Sequence, residues 1–379
     1  MKIELQTIHN GYDRKTGWVH ARPGFIPGEP GTGVVTTQKL RLTGDDVFYE
    51  INSLHSTDGG HTWSEPAPQS TLARRKVEDE IEEGVCDFWP TWHAASGKLL
   101  GTGHTVRYID DSQQKPPRPR NTAYSVYDPQ NHRWAEWKKL EIPGNPYPLG
   151  EGAGCTQRYD LADGTILLPI YFNKSIVPGQ LFQSHYAVTV LRCSFDGETL
   201  QYLESGDELT VPVLRGLVEP SLAYAAGRYF LTLRNDEAAY ISTSEDGLHY
   251  TEPRKWTFDD GSDLGNYNTQ QHWLTHGDDL YLIYTRRGAN NDHIVRHRAP
   301  LFIAQIDKER LCVLRESEQI LIPQRGARLG NFGVARVSDN ESWVVDTEWM
   351  QGSAANPFDP TYCEKWGSDN SIFLAKVTF

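Results

Sequence analysis

Two polar side chains in the middle of the sequence could perform acid–base chemistry beside a bound anion. Glu219 directly precedes the run 220–222, and Arg234 ends the next apolar run, which follows a glycine turn. A guanidinium can hold a carboxylate by two parallel hydrogen bonds, and a neighbouring carboxylic acid can donate a proton to a leaving group. The alternative is an ion pair that joins two strands.

A second group of residues could activate water. If the stretch around His272 is a strand, Gln270 and His272 project from the same face. The amide could then fix the imidazole tautomer, while the other ring nitrogen deprotonates water. We predict that Glu219 is the general acid and His272 the base, held by Gln270 or Gln271. A structural histidine in the wall of a channel is the alternative.

Further arginines could complete a site for a carboxylate. Arg22 lies in the run His-Ala-Arg-Pro, and Arg328 precedes the last apolar run of the chain. We predict that Arg234, Arg328 and Arg22 bind a substrate carboxylate. The competitors for the place of Arg328 are Arg286, Arg287, Arg296 and Arg298. Other polar residues beside predicted strands are also predicted to contact substrate: Asp87, His104, Arg107, Arg286, Arg296 and His297.

A repeated unit must position these side chains. A turn followed by an apolar strand recurs at Gly97, Gly164, Gly227, Gly277 and Asn340, at spacings of 67, 63, 50 and 63 residues. With the unit at 34–63, this makes six units of about four strands each. We predict an all-β fold in one domain, 1–379, namely a six-bladed β-propeller, with seven blades as the alternative. The segments 3–8 and 371–379 could pair and close the ring.

Three short segments have the composition of one kind of tight turn. Residues 56–63 fit the pattern S-x-D-x-G-x-T-W, and degenerate copies occupy 194–202 and 244–250. In such a turn the Asp and Ser side chains bind backbone amides, glycine supplies positive φ, and the aromatic residue packs between blades. We predict that Asp58, Asp196 and Asp246 lie in turns on the outer rim.

These turns and the Glu219–Arg234 spacing resemble the sialidase superfamily, the β-propeller glycoside hydrolases with Asp boxes (BNR repeats). The resemblance implies an arginine triad for a sugar carboxylate and an acid in a first-blade loop, here Asp45 or Asp46. It also implies a Tyr after the third arginine, but the residues at 330–333 are Gly-Asn-Phe-Gly. The run 270–272 is similar to inverting branches, in which a Glu is the acid and a Gln-oriented His the base.

Composition limits the other possibilities. A net charge of −13 and a pI of about 5.5 disfavour nucleic acid and anionic membranes as partners. No run approaches the ~18 apolar residues of a membrane span. Five scattered cysteines do not indicate a disulfide framework, and the histidines near 293–297 lack a metal-binding signature. We expect no cofactor or metal. The compartment is cytoplasmic, or periplasmic or secreted if a signal peptide has been removed.

Together these features predict an exo-glycoside hydrolase that releases a terminal acidic sugar, such as a sialic or another nonulosonic acid. Water would attack directly, with inversion. A propeller lyase or rhamnosidase acting on uronate-containing glycans remains an alternative, as does a glycan-binding propeller without catalysis.

Overall fold

The computed structural model describes residues 1–42, 46–116, 118–144, 146–178, 184–352, 356 and 358–379. About 50% of it is strand and 4% helix, so the prediction of an all-β fold is confirmed. None of the described helices is long and apolar enough to cross a membrane.

The strands pair into six antiparallel sheets that follow one another along the chain, after an opening strand β1 (Lys2–His9). Sheet 1 contains β2 (Thr16–Ile26), β3 (Thr32–Arg41), β4 (Phe48–Ser56) and β5 (Ala67–Pro68). Sheet 2 contains β6 (Arg75–Lys76), β7 (Ile81–His93), β8 (Lys98–Ile109), β9 (Ser112–Gln113), β10 (Thr122–Asp128), β11 (Arg133–Trp134) and β12 (Lys138–Lys139). Sheet 3 contains β13 (Glu151–Gly152), β14 (Tyr159–Asp160), β15 (Ile166–Ser175), β16 (His185–Phe195) and β17 (Leu200–Ser205).

The second half of the chain repeats this organisation. Sheet 4 contains β18 (Val218–Ala225), β19 (Arg228–Arg234), β20 (Tyr240–Ser244) and β21 (Arg254–Lys255). Sheet 5 contains β22 (His272–His276), β23 (Asp279–Tyr284), β24 (Leu301–Asp307), β25 (Cys312–Val313) and β26 (Gln319–Ile322). Sheet 6 contains β27 (Gly333–Arg336), β28 (Glu341–Thr347), β29 (Ile372–Thr378) and β1. Short 3₁₀ turns (Ser70–Leu72, Val295–His297, Arg315–Ser317) and the helix α1 (Thr361–Lys365) lie between strands.

The arrangement is that of a β-propeller, in which five blades are recognised, and the count of six stays a prediction. The predicted pairing of the chain ends is confirmed, because β1 runs antiparallel to β29, from Lys2 opposite Thr378 to His9 opposite Ile372. Sheet 6 is therefore built from both ends of the chain. This pairing covers an edge that β29 would otherwise expose.

Aromatic side chains fill the space between neighbouring sheets. Trp63, which ends the first predicted turn, lies 5.7 Å from Trp343 of β28, between ring centroids. A Cβ on Gly33 or Gly60 would come within 2.6 Å and 2.7 Å of the Trp343 ring, so glycine is required at both positions. Burying one such indole removes enough apolar surface to stabilise the fold by ~2–3 kcal/mol.

Aspartates organise the turns between the third and fourth strands of these sheets. Asp58 accepts hydrogen bonds from Ser56 Oγ at 2.8 Å and from the amides of His61 and Thr62 at 3.0 Å each. The predicted turn positions of Asp58, Asp196 and Asp246 are borne out by similar bonds. Two further aspartates, which the sequence analysis did not single out, make the same bonds in sheets 2 and 5: Asp128 and Asp307.

We expect removal of residues 1–9 to lower the melting temperature by on the order of 5–10 °C, because β29 would lose its outer partner. Leu5→Ala, which trims an exposed side chain of β1 and keeps the strand, should melt as the wild type does. Differential scanning calorimetry checks both. An unchanged melting temperature in the truncated chain would show that the closure contributes no stability.

The buried carboxyl of Glu151 predicts a pH dependence of stability. Burial raises its pKa from 4.5 to about 7, although it accepts bonds from the Thr122 amide and hydroxyl. The folded state therefore holds this proton more tightly than the unfolded state does. The stability it contributes is complete below pH ~4.5 and is lost as the pH rises to ~7.

Glu151→Gln carries no such proton. We expect the wild type to lose stability relative to this variant by on the order of 3 kcal/mol between pH 4.5 and 7. Urea unfolding at several pH values measures the difference, with the exposed Glu141→Gln as control. A difference that is constant over this range would contradict the raised pKa.

Candidate active site

The inner strands carry a repeated backbone distortion that aims side chains into the channel. In or beside an inner strand of each of five successive sheets, a non-glycine residue has a positive φ: His20 (56°), Asp87 (53°), Cys155 (61°, between β13 and β14), Glu219 (47°) and Asn268 (55°, ahead of β22). In β2, β7 and β18 the strand register shifts at this residue, as in a β-bulge. Such a conformation costs ~1–3 kcal/mol per residue. The repetition of the strain at one place indicates that it positions functional groups.

Arg22 forms the floor of this channel. Its guanidinium donates to the Phe332 carbonyl, to Gln270 Oε1 at 3.1 Å and to Asp87 Oδ1 at 3.3 Å, and its Cζ lies 5.4 Å from the Trp89 ring centre. The side chain is fully buried, at 0% exposure. The predicted role of Arg22 as a substrate ligand therefore does not fit, because protein groups already occupy its guanidinium.

His272 is also part of the floor. Its Nδ1 lies 2.7 Å from Ser221 Oγ and its Nε2 lies 3.1 Å from Gln270 Oε1, while the ring is fully buried between Trp89 and Phe332. Burial, with the charge of Arg22 as a second cause, holds the imidazole pKa well below its usual value. A base for water needs a nitrogen open to the channel. The geometry therefore contradicts the assignment of His272 as the base.

The two glutamines next to His272 have different roles. Gln270 is the residue that orients His272, as predicted for one of the pair, and its amide nitrogen also donates to Asn331 Oδ1 at 2.8 Å. Gln271 points the other way, since its Oε1 accepts from Thr232 Oγ1 at 3.2 Å. Both polar atoms of the buried Gln271 side chain have protein partners, and neither of these partners is His272.

A carboxylate with two imidazoles lies above the floor. Asp87 Oδ1 is 3.2 Å from His20 Nδ1, and Asp87 Oδ2 is 3.7 Å from His104 Nε2. Burial alone would raise the pKa of Asp87, but His20, His104 and Arg22 lower it well below its usual range. Burial and the charge of Arg120 lower the pKa of His104 to about 3. Asp87 and His104, both predicted to contact substrate, therefore lie together in the site.

Glu219 and Arg234 are paired in the channel. Arg234 Nη1 is 2.5 Å from Glu219 Oε1, and Arg234 Nη2 is 3.3 Å from Asp236 Oδ1, which sheet 4 brings alongside. Glu219 Oε2 is buried and has no hydrogen-bond partner among the described residues. The pair with Arg234 thus holds one oxygen of Glu219 and leaves Oε2 free to act on a ligand, either as a base or as the predicted general acid.

Two further arginines from neighbouring sheets complete a basic cluster with Arg234. Arg298 donates to the Asn268 carbonyl, and Arg328 donates to Gln351 Oε1 at 2.6 Å and stacks on Trp349, with 4.7 Å from Cζ to the ring centre. Neither is ion-paired within the part of the chain that the structure describes. Burial first, and then neighbouring arginines, lower the pKa of Arg328 to about 10 and that of Arg298 well below its usual value.

Arg296 belongs to the same neighbourhood but is exposed. Burial of its guanidinium and the charge of Arg234 lower its pKa, while Asp236 and Asp46 act in the opposite direction. Arg328 and Arg296, both predicted to contact substrate, thus lie near Arg234. Arg298, considered in the sequence only as a competitor, joins them. A bound anion would relieve the repulsion among these four guanidinium groups.

Three other predicted substrate residues have protein partners. Arg107 pairs with Glu78 at 2.9 Å and Glu83 at 3.3 Å, and Arg286 pairs with Glu318 at 2.6 Å. These two arginines are already neutralised, so their predicted contact with substrate is not favoured. His297 Nδ1 lies 2.5 Å from the Tyr267 hydroxyl, and its Nε2 lies 3.2 Å from Asp292 Oδ1.

The loop of sheet 1 that was expected to supply an acid is described only in part. Asp45 lies outside the described residues, whereas Asp46 is exposed. Asp46 acts electrostatically on His20, Arg296 and Arg328. It is therefore close to the arginine cluster. Among the described residues, no group of three or more His, Cys, Asp or Glu side chains could hold a metal ion.

Several site residues were missed in the sequence. The repeated spacing between a polar residue and a later proline, in His-Ala-Arg-Pro at 20–23 and Asp-Phe-Trp-Pro at 87–90, marks two of the distorted positions and could have identified His20. Asp236 follows Arg234 by two residues, a spacing that could have indicated their pairing, whereas no local signal marked its second partner, Arg215, at 2.8 Å.

Comparisons with known proteins show a likeness of fold. No protein-family model and no curated protein matches this sequence. A protein of unknown function from Dyadobacter fermentans is 14% identical, with a TM-score of 0.68 over 100% of this chain and 99% of the other. A Hadza microbial sialidase is 11% identical, with a TM-score of 0.65 over 99% of this chain and 68% of the other.

The sialidase of Trypanosoma rangeli, solved with sialic acid, is 13% identical, with a TM-score of 0.61 over 99% of this chain. This chain spans 59% of the length of that enzyme. At such identities the likeness defines the fold alone. The chain is therefore a β-propeller protein with a sialidase-like fold.

The structure predicts that His272 stabilises the fold. We expect His272→Ala to lower the free energy of unfolding by ~3 kcal/mol, because it leaves a cavity and two unpaired polar partners. The exposed His61→Ala is the control and should change it by less than ~0.5 kcal/mol. Chemical denaturation measures both. A folded, equally stable His272→Ala protein would contradict the structural role.

Proposed function

We propose that this protein is a glycoside hydrolase that removes a terminal sugar carrying a carboxylate, of the sialic or related nonulosonic acid class. The observation that carries the proposal is the cluster of Arg234, Arg298 and Arg328 at the channel mouth. In an otherwise acidic chain, these three arginines are buried, and among the described residues only Arg234 is paired with carboxylates. Sialidase-like structural neighbours support the same class.

The arginine cluster would bind the sugar carboxylate. The buried guanidinium groups repel one another and lower one another's pKa, so their charged forms are unfavourable without a bound anion. A carboxylate can supply that charge and accept two parallel N–H hydrogen bonds from one guanidinium. Binding would also loosen the hold of Arg234 on Glu219. Substrate binding would in this way free Glu219 from its pair with Arg234.

Glu219 would act as the base that takes a proton from the attacking water. Its Oε2 has no protein partner among the described residues, and the pair with Arg234 fixes the other oxygen. Asp46, an exposed carboxyl group near Arg296 and Arg328, would be the group that protonates the leaving oxygen, as the resemblance implies for a residue of this loop. These roles replace the acid role first predicted for Glu219 and the base role of His272.

Direct attack by water is favoured over a covalent tyrosyl intermediate. The place where the retaining sialidases resembled by the sequence carry their Tyr is filled here by Asn331 and Phe332. Asn331 Oδ1 accepts from Gln270, and Phe332 is fully buried against His272. Neither side chain carries a phenolic hydroxyl.

We also propose that the six sheets are six blades, which the closure through β1 and β29 supports.

Glu219→Gln tests the catalytic carboxylate. We expect kcat on an acidic aryl glycoside to fall by ~10²-fold or more, because the amide cannot accept the proton of water. Glu309→Gln, on an exposed turn, should retain the wild-type rate.

NMR of the first sugar that the wild-type protein releases should show an inverted anomer. Retained configuration would exclude direct attack.

Arg328→Gln tests the binding of the carboxylate. Loss of one charged partner should lower kcat/KM by roughly 30-fold to 10³-fold, equivalent to ~2–4 kcal/mol. Arg107→Gln, which removes an arginine already paired with Glu78 and Glu83, is the matched control. If both variants lose the same activity, the cluster has no special role in binding.

A second function, β-elimination from a uronate, is favoured by one observation. The Tyr267 hydroxyl lies 2.5 Å from His297 Nδ1, and Arg287, Arg296 and Arg298 act electrostatically on Tyr267. A tyrosine beside a histidine and arginines could abstract and return a proton next to a neutralised carboxylate. An unsaturated, ultraviolet-absorbing product that disappears with Tyr267→Phe would establish a lyase, whereas a saturated free sugar would establish the hydrolase.

A further inference from the structure

We propose that Arg118 and Arg120 form a second anion-binding site beside the first, so that the substrate carries two anionic groups. The second group would be a carboxylate of the neighbouring sugar or a sulfate ester on the same sugar. This inference rests on the proposed function for its choice of substrate. The existence of a second anion site can be tested without it.

A cleft places these two arginines together. Arg118, Arg120, Asn173, Ser184 and Tyr186 line a small cleft between sheets 2 and 3. Its polar groups are two guanidinium groups, an amide, an aliphatic hydroxyl and a phenol. This lining suits an anion with several oxygen acceptors.

The backbone is shaped to hold Arg120 in this position. Its guanidinium stacks on Tyr171, with 5.0 Å from Cζ to the ring centre. A Cβ on Gly150 would come within 3.0 Å of the Arg120 amide nitrogen, and a Cβ on Gly152 within 3.1 Å of its Cδ. Gly150 also has a φ of +98°. Two glycines thus provide the space in which this side chain lies.

Neither arginine forms an ion pair with a carboxylate of the described chain. Arg118 Nη1 donates to the Gln114 carbonyl at 2.9 Å, which leaves its charge uncompensated. Burial and the charge of Arg120 lower the pKa of Arg118, and Asp46 opposes this without forming an ion pair. Glu151, whose amide binds the Arg120 carbonyl, has its own carboxyl engaged by Thr122. Arg107 in the same sheet is, in contrast, paired twice.

The position of this pair relative to the first site defines the ligand. Arg120 acts electrostatically on Asp87, Glu219 and His104, so it borders the catalytic carboxylates from sheet 2. Arg298 acts on Glu219 from sheet 5. Positive groups therefore flank Glu219 on two sides. A ligand with one acidic group would satisfy only one of them.

Binding of matched sugars to the catalytically slow Glu219→Gln protein tests the substrate. The probes are N-acetylneuraminic acid, its α2,8-linked dimer and its 8-O-sulfate, measured by calorimetry. We expect a dianionic probe to bind roughly tenfold more tightly than the monomer. Adding Arg118→Gln, alone or together with Arg120→Gln, should remove that preference, and Arg118→Gln alone should leave the monomer affinity unchanged. Preference for the dimer identifies a second carboxylate, and preference for the sulfated sugar identifies a sulfate ester.

Arg133→Gln with Arg254→Gln is the matched control, since it removes two exposed arginines from outer strands and the same net charge. Thermal melting verifies that each protein is folded, and Arg118→Lys with Arg120→Lys should restore part of the preference. A dianionic preference that survives the Gln substitutions overturns the proposal. Equal binding of all three probes overturns it as well.

Crystals soaked in sodium selenate provide a test that does not depend on the sugar. We expect an anomalous peak between the Arg118 and Arg120 guanidinium groups, in addition to one at Arg298 and Arg328. A peak at the first cluster alone would contradict a second site even if the protein hydrolyses sialosides. Two peaks in a protein that cleaves no glycoside would support the second site and contradict the hydrolase proposal.

Discussion

The buried guanidinium of Arg22 is the interaction on which the centre of the molecule depends. It joins β2 to Asp87 on β7, to Gln270 ahead of β22 and to the Phe332 carbonyl ahead of β27. Four sheets therefore meet at one fully buried cation. Removing it from water is costly, and the cost is offset only when all of these acceptors are in place. The converging inner strands are held in register by this requirement.

The floor built around Arg22 explains why His272 is not a catalytic base. Gln270 accepts from both Arg22 and His272, so it cannot reorient without leaving one of them unpaired. The Gln270 amide thus accepts a hydrogen bond from the Arg22 guanidinium, and His272 holds that amide in place. The candidate reactive groups are instead Asp87 and Glu219, which have strained backbone angles and keep some solvent exposure, whereas Arg22 and His272 have none.

Charge is distributed very unevenly between the channel and the rest of the protein. The chain carries a net charge of −13, whereas Arg234, Arg298, Arg328 and Arg120 surround two carboxylates at the mouth. Low dielectric surroundings strengthen each of these interactions. The resulting positive potential in a narrow site would draw an anionic sugar inward and orient it. Binding and catalysis would then use the same charges.

Much of the architecture was predictable from the sequence. The recurrence of turns and apolar strands indicated repeated antiparallel sheets, and the composition of 56–63 identified the aspartate turn, because local hydrogen bonds to Asp58 need only neighbouring residues. The pairing of the two chain ends also followed from their strand-like composition. Each of these features depends on residues close in sequence or on a pattern that repeats along it.

The site was only partly predictable for the opposite reason. Sequence analysis found Glu219, Arg234 and Arg328 because each stands at the border of an apolar run. It could not tell that Arg22 is enclosed by groups from three other sheets, or that Arg107 and Arg286 are already paired with glutamates. Spacing along a strand shows which way a side chain points, but exposure and charge pairing are set by other strands. The sequence by itself determined the repeat and the polar residues beside its strands, whereas only the tertiary structure decided which of them remain free to meet a ligand.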